Sequence, residues 1–278
     1  MRTAAHAIAK RTEMAQHMTT LTLTALPGIP LVEPGADLAQ LVMDAYGRAG
    51  LQPEDDDVLI VAQKIVSKVE GRYVYLNDVM PSAHAIELAP KVQKDPRLVE
   101  VILRESNEVL RYRPGVLIVE HKLGIVNANA GVDQSNIASG DSHPRVLLLP
   151  VDPDASARGL REAVGQRSGA VVAVIINDSA GRAWRNGIIG YTIGCAGIEP
   201  IRNMVGQPDL FGRELQITEI AIVDELAAAG SLLMGQAAEG APVVLARGMH
   251  FRRSDQGARS LIRPKHQDLF RSSAPRPA

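Results

Sequence analysis

The sequence predicts a soluble protein of α+β (mixed α/β) class, in which helices and strands alternate along much of the chain. Apolar runs such as residues 170–177 have the length of strands and end at polar or turn residues, which is typical of buried sheet. Other stretches carry apolar residues at the spacing of one helix face. At 278 residues the chain can bury a large core, as one large domain or as two smaller ones.

Four helices are predicted from apolar periodicity and from residues that favour helix ends. The first begins after the Pro-Gly pair at 34–35 and ends near Gly50, where a C-terminal glycine is expected. The second begins at Asp95, which can cap it, ahead of a proline that suits the first turn. This helix is expected to turn Val109 toward the core. Two more helices are predicted over about residues 155–166 and 218–233.

Short apolar runs predict the strands, which cover residues 57–63, 115–120, 145–150, 170–177, 188–196 and 242–247. The first strand is followed by the basic segment 64–72, where a functional loop could begin. A Gly/Asn-rich stretch occupies residues 127–136, and a polar turn is expected after Asp178. No internal repeat or low-complexity linker marks a domain boundary, so a second domain would be interleaved with the first.

The charge balance argues against nucleic acid and membrane as partners. The chain has 30 Lys and Arg against 31 Asp and Glu, a formal net charge of -1, so no whole-molecule field attracts a polyanion. Cys195 is the only cysteine and cannot form an internal disulfide, which favours a cytoplasmic location. Residues 1–24 lack the apolar stretch of a secretory signal or membrane span and are expected to form a poorly ordered extension.

Two aspartates are candidate metal ligands. Asp133 lies in the predicted loop NAGVDQSN, and Asp178 ends the apolar run AVVAVIIND. Open α/β sheets place ligand sites at the carboxyl ends of their strands, where two carboxylates could hold Mg2+ or Mn2+ with phosphate oxygens. Ser179 and Asn136 could add oxygen ligands or bind phosphate. Each of these residues could equally cap a helix or close a turn, so spacing alone leaves both interpretations open.

Two lysines, Lys64 and Lys68, lie four residues apart in QKIVSKVEGR. If this segment is helical, they share a face, and both ammonium groups could bind a polyphosphate. The alternative is a solvated charged face that includes Glu70 and Arg72.

Two glycine-containing loops could bring the backbone close to a nucleotide. LPGIP, residues 26–30, is a stiff turn that could line a base or ribose pocket, or could be only a turn. MGQAAEGAP, residues 234–242, has N–H groups that could bind an anion, with Gln236 and Glu239 as candidate oxygen ligands. The alternative is an ordinary helix end followed by a loop. The Walker sequence GxxxxGK(S/T) does not occur, so any nucleotide site must be built differently.

Three other features favour structural roles or leave the role open. Cys195, in YTIGCAG, is expected to be a packed thiol, because no His or Asp close in sequence would activate it. The seven histidines show no paired metal spacing. Trp184 beside Arg185 could clamp a flat heterocycle or could simply anchor a surface loop.

Together these segments resemble the coenzyme F-420-0:L-glutamate ligase (F-420 gamma-glutamyl ligase) family from about residue 26 to residue 271. The matching segments, in chain order, are LPGIPLVEPGADL, QKIVSKVEGR, GVLIVEHKLGIVNANAGVDQSN, VAVIINDSAGRAWRNG, GCAG, IVDELAAAGSLLMGQAAEG, PVVLARG and LIRPKHQDLFR. The order and spacing of these segments carry the resemblance, since one segment by itself would be weak.

The resemblance implies two interleaved subdomains, distinct from Rossmann and P-loop folds, over residues 25–272 with a tail at 273–278, and an intertwined homodimer. It also implies GTP-dependent amide ligation. The lactyl carboxylate of F-420-0, a deazaflavin, takes the γ-phosphate of GTP, and the α-amine of L-glutamate then displaces phosphate. Later glutamates would be added through gamma links. Two divalent cations, Mg2+ or Mn2+, are implied, with K+ as a further candidate ion.

The resemblance also assigns site residues. It places the metal at Asp133, Asp178, Ser179 and Gln236. It places GTP at Gly28, Ile29, Pro30, Leu31, Gln63, Lys64, Lys68, Asn136, Met234, Gly235, Gln236, Ala237, Ala238, Glu239, Gly240 and Ala241. The residues implied to act in catalysis are Asp133, Asp178 and Lys68.

Two residues depart from the family pattern, which reads Thr and then an aromatic after the second aspartate. Ser179 keeps the hydroxyl but loses the methyl group that stiffens its rotamer, and Ala180 removes an aromatic wall. This leaves open a family member that ligates an amino acid to a variant carboxylate precursor. A non-enzymatic nucleotide-binding protein would be expected to lose the two metal aspartates, and both are present. The chain ends soon after Arg271, without the flavin-binding domain of some bacterial relatives, so activity is expected to stop at glutamylation.

Overall fold

The computed structural model describes residues 20–135, 137 and 143–270, and the backbone of residues 276–277. The α-helices of this part of the chain are α1 Leu38–Arg48, α2 Gln63–Val69, α3 Ala83–Val92, α4 Pro96–Arg104, α5 Pro153–Ser168 and α6 Ile222–Met234. The strands are β1 Thr22–Ala25, β2 Val58–Ala62, β3 Tyr73–Tyr75, β4 Ser106–Arg113, β5 Val116–His121, β6 Val126–Ala128, β7 Arg145–Leu147, β8 Ala173–Arg182, β9 Arg185–Ala196, β10 Arg202–Asn203, β11 Glu219–Ile220, β12 Val243–Arg247 and β13 Arg276–Pro277.

A five-stranded sheet in the order β1-β12-β2-β8-β9 forms the main core. Strands β2 and β8 run parallel, and the other neighbours are antiparallel. Side chains alternate along β2, so that Leu59 and Val61 pack with α1 and α5, whereas Val58 and Ile60 pack with α6. Because helices cover both faces, β2 is apolar throughout and β8 is apolar over residues 173–176, which explains their continuous apolar runs in the sequence.

A second core lies within the chain between α2 and α5. It packs α3 and α4 against β5, which belongs to a sheet of order β13-β4-β5-β6. Leu88, Val99, Ile102 and Leu117 are at most 4% exposed there. The segment of the chain that forms this second core therefore lies between segments that form the main core. The mixed α+β class is confirmed, while the domain bounds 25–272 and 273–278 stay predictions.

The helix predicted from Asp95 is confirmed at its start and wrong at its end. Asp95 Oδ1 accepts a hydrogen bond from the Arg97 N–H at 2.8 Å and caps α4. The helix ends at Arg104, and Val109 lies on β4 opposite Val119. Pairing with β5 prevails over the helical spacing of this apolar residue. Neither α3 nor β4 was predicted.

The polar turn predicted after Asp178 is also wrong. Strand β8 continues through Asp178 to Arg182, because β9 pairs with it along this stretch. A shift of register between Ile176 and Asn177 marks a bulge just before Asp178. The basic segment after β2 forms helix α2 rather than a loop.

Strand β1 begins at Thr22, inside the segment 1–24 for which the sequence predicts an extension, and it pairs with β12. Residues 1–19, 271–275 and 278 lie outside the described part of the chain. Among the described helices, none combines the length and apolar character that a membrane span requires.

Strand β9 passes so close to α5 that Gly194 has no room for a side chain. A Cβ there would overlap the backbone of Pro153, the first residue of α5. We predict that Gly194→Ala lowers the free energy of unfolding by roughly 1–3 kcal/mol, measured by urea unfolding.

Gly159→Ala on the exposed face of α5 is the matched control. A Cβ at Gly159 meets no atom within 4 Å, and alanine favours the helix, so this variant should be more stable by about 0.5–1 kcal/mol. Equal stability of Gly194→Ala and the wild type would contradict the close contact.

Candidate active site

A cleft of about 620 Å3 lies where the parallel strands β2 and β8 approach their carboxyl ends. Open sheets with parallel strands place their ligands at this edge. Five separate parts of the chain line the cleft: the loop 29–32, the junction of β2 with α2, Ile137, residues 177–179 of β8, and the loop 234–242 that follows α6.

Most residues that the resemblance assigns to the site meet in this cleft. Those that line it are Ile29, Pro30, Leu31, Gln63, Lys64, Lys68, Asp178, Ser179, Met234, Gly235, Gln236, Ala237, Ala238, Glu239, Gly240 and Ala241. Gly28 is not among them, but its carbonyl accepts from Arg48 Nη1 at 3.0 Å and fixes the start of the first loop. Asp133 reaches the cleft through Lys64. Asn136 lies outside the described residues. The binding roles of all these residues stay predictions.

Helix α2 presents two lysines to the cleft. Lys64 and Lys68 are one helical turn apart and both line it, so the shared face expected of a helical segment is confirmed. Burial, followed by the positive charge of Lys64, lowers the pKa of Lys68. A bound anion would relieve the repulsion between these two ammonium groups.

The backbone before Asp133 is bent into an uncommon conformation. The turn Asn129–Gly131 has positive φ at each residue, 55°, 54° and 66° in order, which is costly where the residue is not glycine. The chain then pairs with Leu147, since Asp133 N–H and O form hydrogen bonds of 3.0 and 2.9 Å with it. This pairing directs the Asp133 segment toward α2.

The Asp133 side chain forms a compact charged group with Lys64. Lys64 Nζ lies 2.7 Å from Asp133 Oδ2 and donates to Ser135 Oγ at 2.7 Å. The Ser135 N–H donates to Asp133 Oδ1 at 2.7 Å. Burial by itself would raise the pKa of Asp133, but the hydrogen bonds from Lys64 and Ser135 outweigh it and hold the pKa below its ordinary value.

Asp178 lacks such a partner. It lies on β8 opposite Tyr191, whose hydroxyl donates to Asp178 Oδ2 over a long 3.4 Å. Burial, aided by the negative charge of Asp133, raises the pKa of Asp178 to about 6, although the Ser179 N–H and Tyr191 oppose the rise. Asp178 forms no ion pair with any described residue, so its charge is poorly compensated.

The oxygen atoms around these carboxylates fit a hard divalent cation. Ser179 supplies a hydroxyl, and Gln236 Nε2 donates to Ser231 Oγ at 3.0 Å, which leaves Gln236 Oε1 as an acceptor. Within the described residues no three or more His, Cys, Asp or Glu side chains form a metal cage. A cation here would therefore take further oxygens from phosphate or water, as Mg2+ commonly does.

Two glycines shape the loop after α6. Gly235 and Gly240 have φ of 69° and 68°, a region that side chains with Cβ rarely adopt. Glu239 turns back on this loop, and its Oε2 accepts from the Ala237 N–H at 2.8 Å. This hydrogen bond is the main cause of the lowered pKa of Glu239. The carboxylate of Glu239 is thus engaged within the loop, whereas Gln236 retains a side-chain oxygen.

Two polar residues of the site were missed from the sequence. Asn177 lines the cleft and is 6% exposed, its Nδ2 donates to Met234 Sδ at 3.4 Å, and its Oδ1 has no partner among the described residues. A buried asparagine at the end of the run AVVAVIIND is a signal that could have identified it. Tyr191 meets Asp178 only through strand pairing, which no local pattern reveals.

The structure also decides the role of the cysteine. Cys195 is 1% exposed in the core, and burial raises its pKa to about 12, so the packed thiol predicted from the sequence is confirmed. Trp184 is 87% exposed, with its ring centroid 6.4 Å from that of Phe270.

Comparison with known proteins identifies relatives over nearly the whole chain. The family model described as F420-0:Gamma-glutamyl ligase matches residues 28–248. The Coenzyme F420:L-glutamate ligase of Methanothermobacter thermautotrophicus is 43% identical over 253 residues, which cover 90% of this chain and 99% of that protein. Proteins of the same name from Methanocaldococcus jannaschii and Archaeoglobus fulgidus are 44% and 38% identical, over 79% and 88% of this chain and 86% and 94% of their own lengths.

The fold and the cleft define an α+β protein with a ligand cleft at the edge of a mixed sheet. Within that class, the chain belongs to the F420-0:Gamma-glutamyl ligase family, because the family model and the relatives both span most of it. The resemblance inferred from the sequence is confirmed.

The raised pKa of Asp178 predicts that its charge destabilises the metal-free fold. When folding raises the pKa of a carboxyl group, its ionised form lowers the stability of the fold at any pH above that raised pKa. This loss of stability disappears as the pH falls to the pKa that the group has in the unfolded chain. Asp178→Asn should therefore raise the free energy of unfolding in EDTA at about pH 7.5, by up to ~3 kcal/mol. This gain should shrink as the pH is lowered from about 6 toward 4.

Asp133→Asn should act in the opposite direction. The lowered pKa of Asp133 means that its charge stabilises the fold above its unfolded pKa, so its removal should cost about 1 kcal/mol at the same pH. Thermal unfolding of the two variants side by side checks both signs. Destabilisation by both variants would contradict this account of the cleft.

Proposed function

We propose that the protein joins L-glutamate to the lactyl carboxylate of F-420-0 at the expense of GTP. The observation that carries the proposal is the convergence of two lysines, a half-buried aspartate and the loops 29–32 and 234–242 on one cleft. Phosphoryl transfer requires this combination of cationic groups, metal ligands and close backbone approach. The choice of F-420-0 and L-glutamate as the two substrates rests on the description of the family and on the names of the relatives.

In this proposal α2 and the loop 234–242 bind the triphosphate. Lys64 and Lys68 bring positive charge to it from neighbouring turns of the helix. The positive φ at Gly235 and Gly240 lets backbone N–H groups approach phosphate oxygens without a Cβ in the way. The loop 29–32 also lines the cleft, and the nucleoside would lie against it.

Asp133, Asp178, Ser179 and Gln236 are the proposed ligands of two divalent cations, Mg2+ or Mn2+. These ions would supply positive charge to the triphosphate oxygens. Asp178 gains most from such charge, because it has no ion-pair partner among the described residues. Lys64 would exchange its contact with Asp133 for a phosphate oxygen.

The proposed reaction has two steps. An oxygen of the lactyl carboxylate attacks the γ-phosphorus, the bond to the bridging oxygen breaks, and GDP leaves. The uncharged α-amine of glutamate then attacks the acyl carbon, phosphate leaves with the bonding electron pair, and the nitrogen releases a proton. A carboxylate is already a nucleophile, so positioning and charge in the cleft provide most of the catalysis. The same two steps at the γ-carboxylate of the added glutamate would attach further glutamates through gamma links.

The activity is tested by incubating the protein with F-420-0, L-glutamate and Mg2+ or Mn2+, with GTP or ATP in parallel. Mass spectrometry should show a gain of one or more glutamyl units with GTP. Lys68→Ala should lower kcat/KM for GTP at least about 10-fold, because it removes a charged phosphate contact.

Lys122→Ala is the control for Lys68→Ala, since Lys122 is exposed and does not line the cleft. A metal-loaded wild-type protein that adds no glutamate to F-420-0 would contradict the proposed substrate. Transfer of glutamate to a different carboxylate precursor would then favour the variant-precursor hypothesis raised by Ala180.

We also propose that the protein acts as a homodimer. The segment between β10 and β11 holds large apolar side chains in solvent, with Leu210, Phe211 and Ile217 exposed by 93%, 96% and 90%. Exposed apolar groups concentrated in this way are typical of an interaction surface. A second copy of the chain that covers this segment would bury them.

Phe211→Asp should weaken the dimer, because it would place a charge in the proposed interface. Sedimentation of the variant at micromolar concentration should show monomer where the wild type shows dimer. Leu232→Asp, at an exposed position of α6, is the control. A wild-type protein that sediments as a monomer would contradict the proposal.

A further inference from the structure

A second cavity lies beside the cleft and has no role in the reaction as described above. Its volume is about 340 Å3, and its wall includes residues of β8, β9, the first turn of α6 and the segment 261–263. Tyr191 lines this cavity, while its hydroxyl contacts Asp178, which lines the cleft. The Tyr191 side chain therefore separates the cavity from Asp178, a proposed metal ligand of the cleft.

The cavity wall carries two arginines, neither of which forms an ion pair with a described residue. Arg182 forms no ion pair with any described residue, and its Nε is shielded from solvent without a hydrogen-bond partner in the described part of the chain. The one hydrogen bond of its side chain that is resolved runs from Nη2 to the Asn186 carbonyl at 3.4 Å. A buried guanidinium nitrogen without a partner is costly, so an anionic ligand would satisfy it. Arg263 adds a second, more exposed guanidinium to the same wall.

The wall of the same cavity also carries a negatively charged side chain, that of Asp224. Asp224 lines the cavity from the first turn of α6, and its Oδ1 accepts from the Thr192 N–H at 2.9 Å. Burial raises the pKa of Asp224, so a cationic ligand beside it would be stabilising. Burial, followed by the negative charge of Asp178 and then that of Asp224, raises the pKa of Tyr191 well above its ordinary range.

We propose that this second cavity binds the amino-acid substrate, with Arg182 and Arg263 binding the two carboxylates of L-glutamate and Asp224 binding its ammonium group. The inference rests on the proposed function. Arg182 and Arg263 offer positive charge to the two carboxylates of glutamate, and Asp224 offers negative charge to its amine. Asp268 also lines the wall, and its Oδ1 accepts from the Phe270 N–H at 2.8 Å. The amine enters beside Tyr191 and so lies on the path to Asp178 and the acyl carbon. The deazaflavin precursor carries a carboxylate but no ammonium group, so it would leave Asp224 unmatched.

Kinetics of the full-length protein test this assignment through the separate KM values. Arg182→Ala and Asp224→Asn should each raise KM for L-glutamate at least about 10-fold, with KM for GTP changed by less than about 2-fold. Asp224→Asn keeps the oxygen that accepts from Thr192, and Arg263→Ala removes an exposed side chain, so both should fold. Arg185→Ala and Glu225→Gln are the matched controls, because these exposed residues adjoin the cavity in sequence without lining it.

Binding gives a second readout that does not need turnover. Equilibrium dialysis with labelled L-glutamate, in the presence of GTP and Mn2+, should show binding that D-glutamate competes for poorly and that Arg182→Ala weakens at least about 10-fold. The fluorescence of Trp184, the only tryptophan and two residues from Arg182, should change on glutamate binding.

The outcomes separate this inference from the proposed function. If the wild type adds glutamate to F-420-0 but the Arg182 and Asp224 variants keep normal KM and dialysis values for glutamate, the cavity assignment is wrong and the ligase assignment stands. A rise in KM for F-420-0 alone would assign the cavity to the precursor and also overturn the inference. Glutamate binding that depends on Arg182 in a protein without ligase activity would support the cavity and contradict the function.

Discussion

The arrangement of charge around Asp133 and Asp178 is the constraint on which the rest of the site depends. Asp133 is stabilised by the Lys64 ammonium, whereas Asp178 is held in a half-buried position without an ion-pair partner among the described residues. The negative charge of Asp133 makes ionisation of Asp178 harder still. A protein without ligands gains nothing from such a pair, and arrangements of this kind are common where a cation or substrate is bound.

The topology brings these groups together from distant parts of the chain. Parallel pairing of β2 and β8 sets the start of α2, with Lys64, beside Asp178. Strand β12 pairs with the other side of β2 and so brings the loop 234–242 to the same edge. The inserted core contributes Asp133 through its pairing with Leu147. Each contribution depends on a long-range pairing, so the cleft should form only once the sheet is complete.

Sequence patterns predicted the parts of the fold that are determined locally. Apolar runs located β2 and β8, and Asp95 located the start of α4, because strand burial and helix capping act over a few residues. Val109 was placed in a helix and Asp178 before a turn, since strand pairing decides both and cannot be read from local spacing. For the same reason the contact of Tyr191 with Asp178 was missed, and the second cavity was not foreseen at all. Family resemblance named the residues of the cleft, whereas composition and spacing alone left each of them with a structural alternative.

The most direct test of the central claim is a crystal structure with a non-hydrolysable GTP analogue and Mn2+, using the anomalous signal of manganese. The account predicts a manganese peak within about 2.5 Å of oxygens of both Asp133 and Asp178. It also predicts that Lys64 Nζ leaves Asp133 for a phosphate oxygen, with the loop 234–242 closed on the triphosphate. A nucleotide bound outside the cleft, or a Lys64–Asp133 ion pair that persists with no manganese at either aspartate, would contradict it.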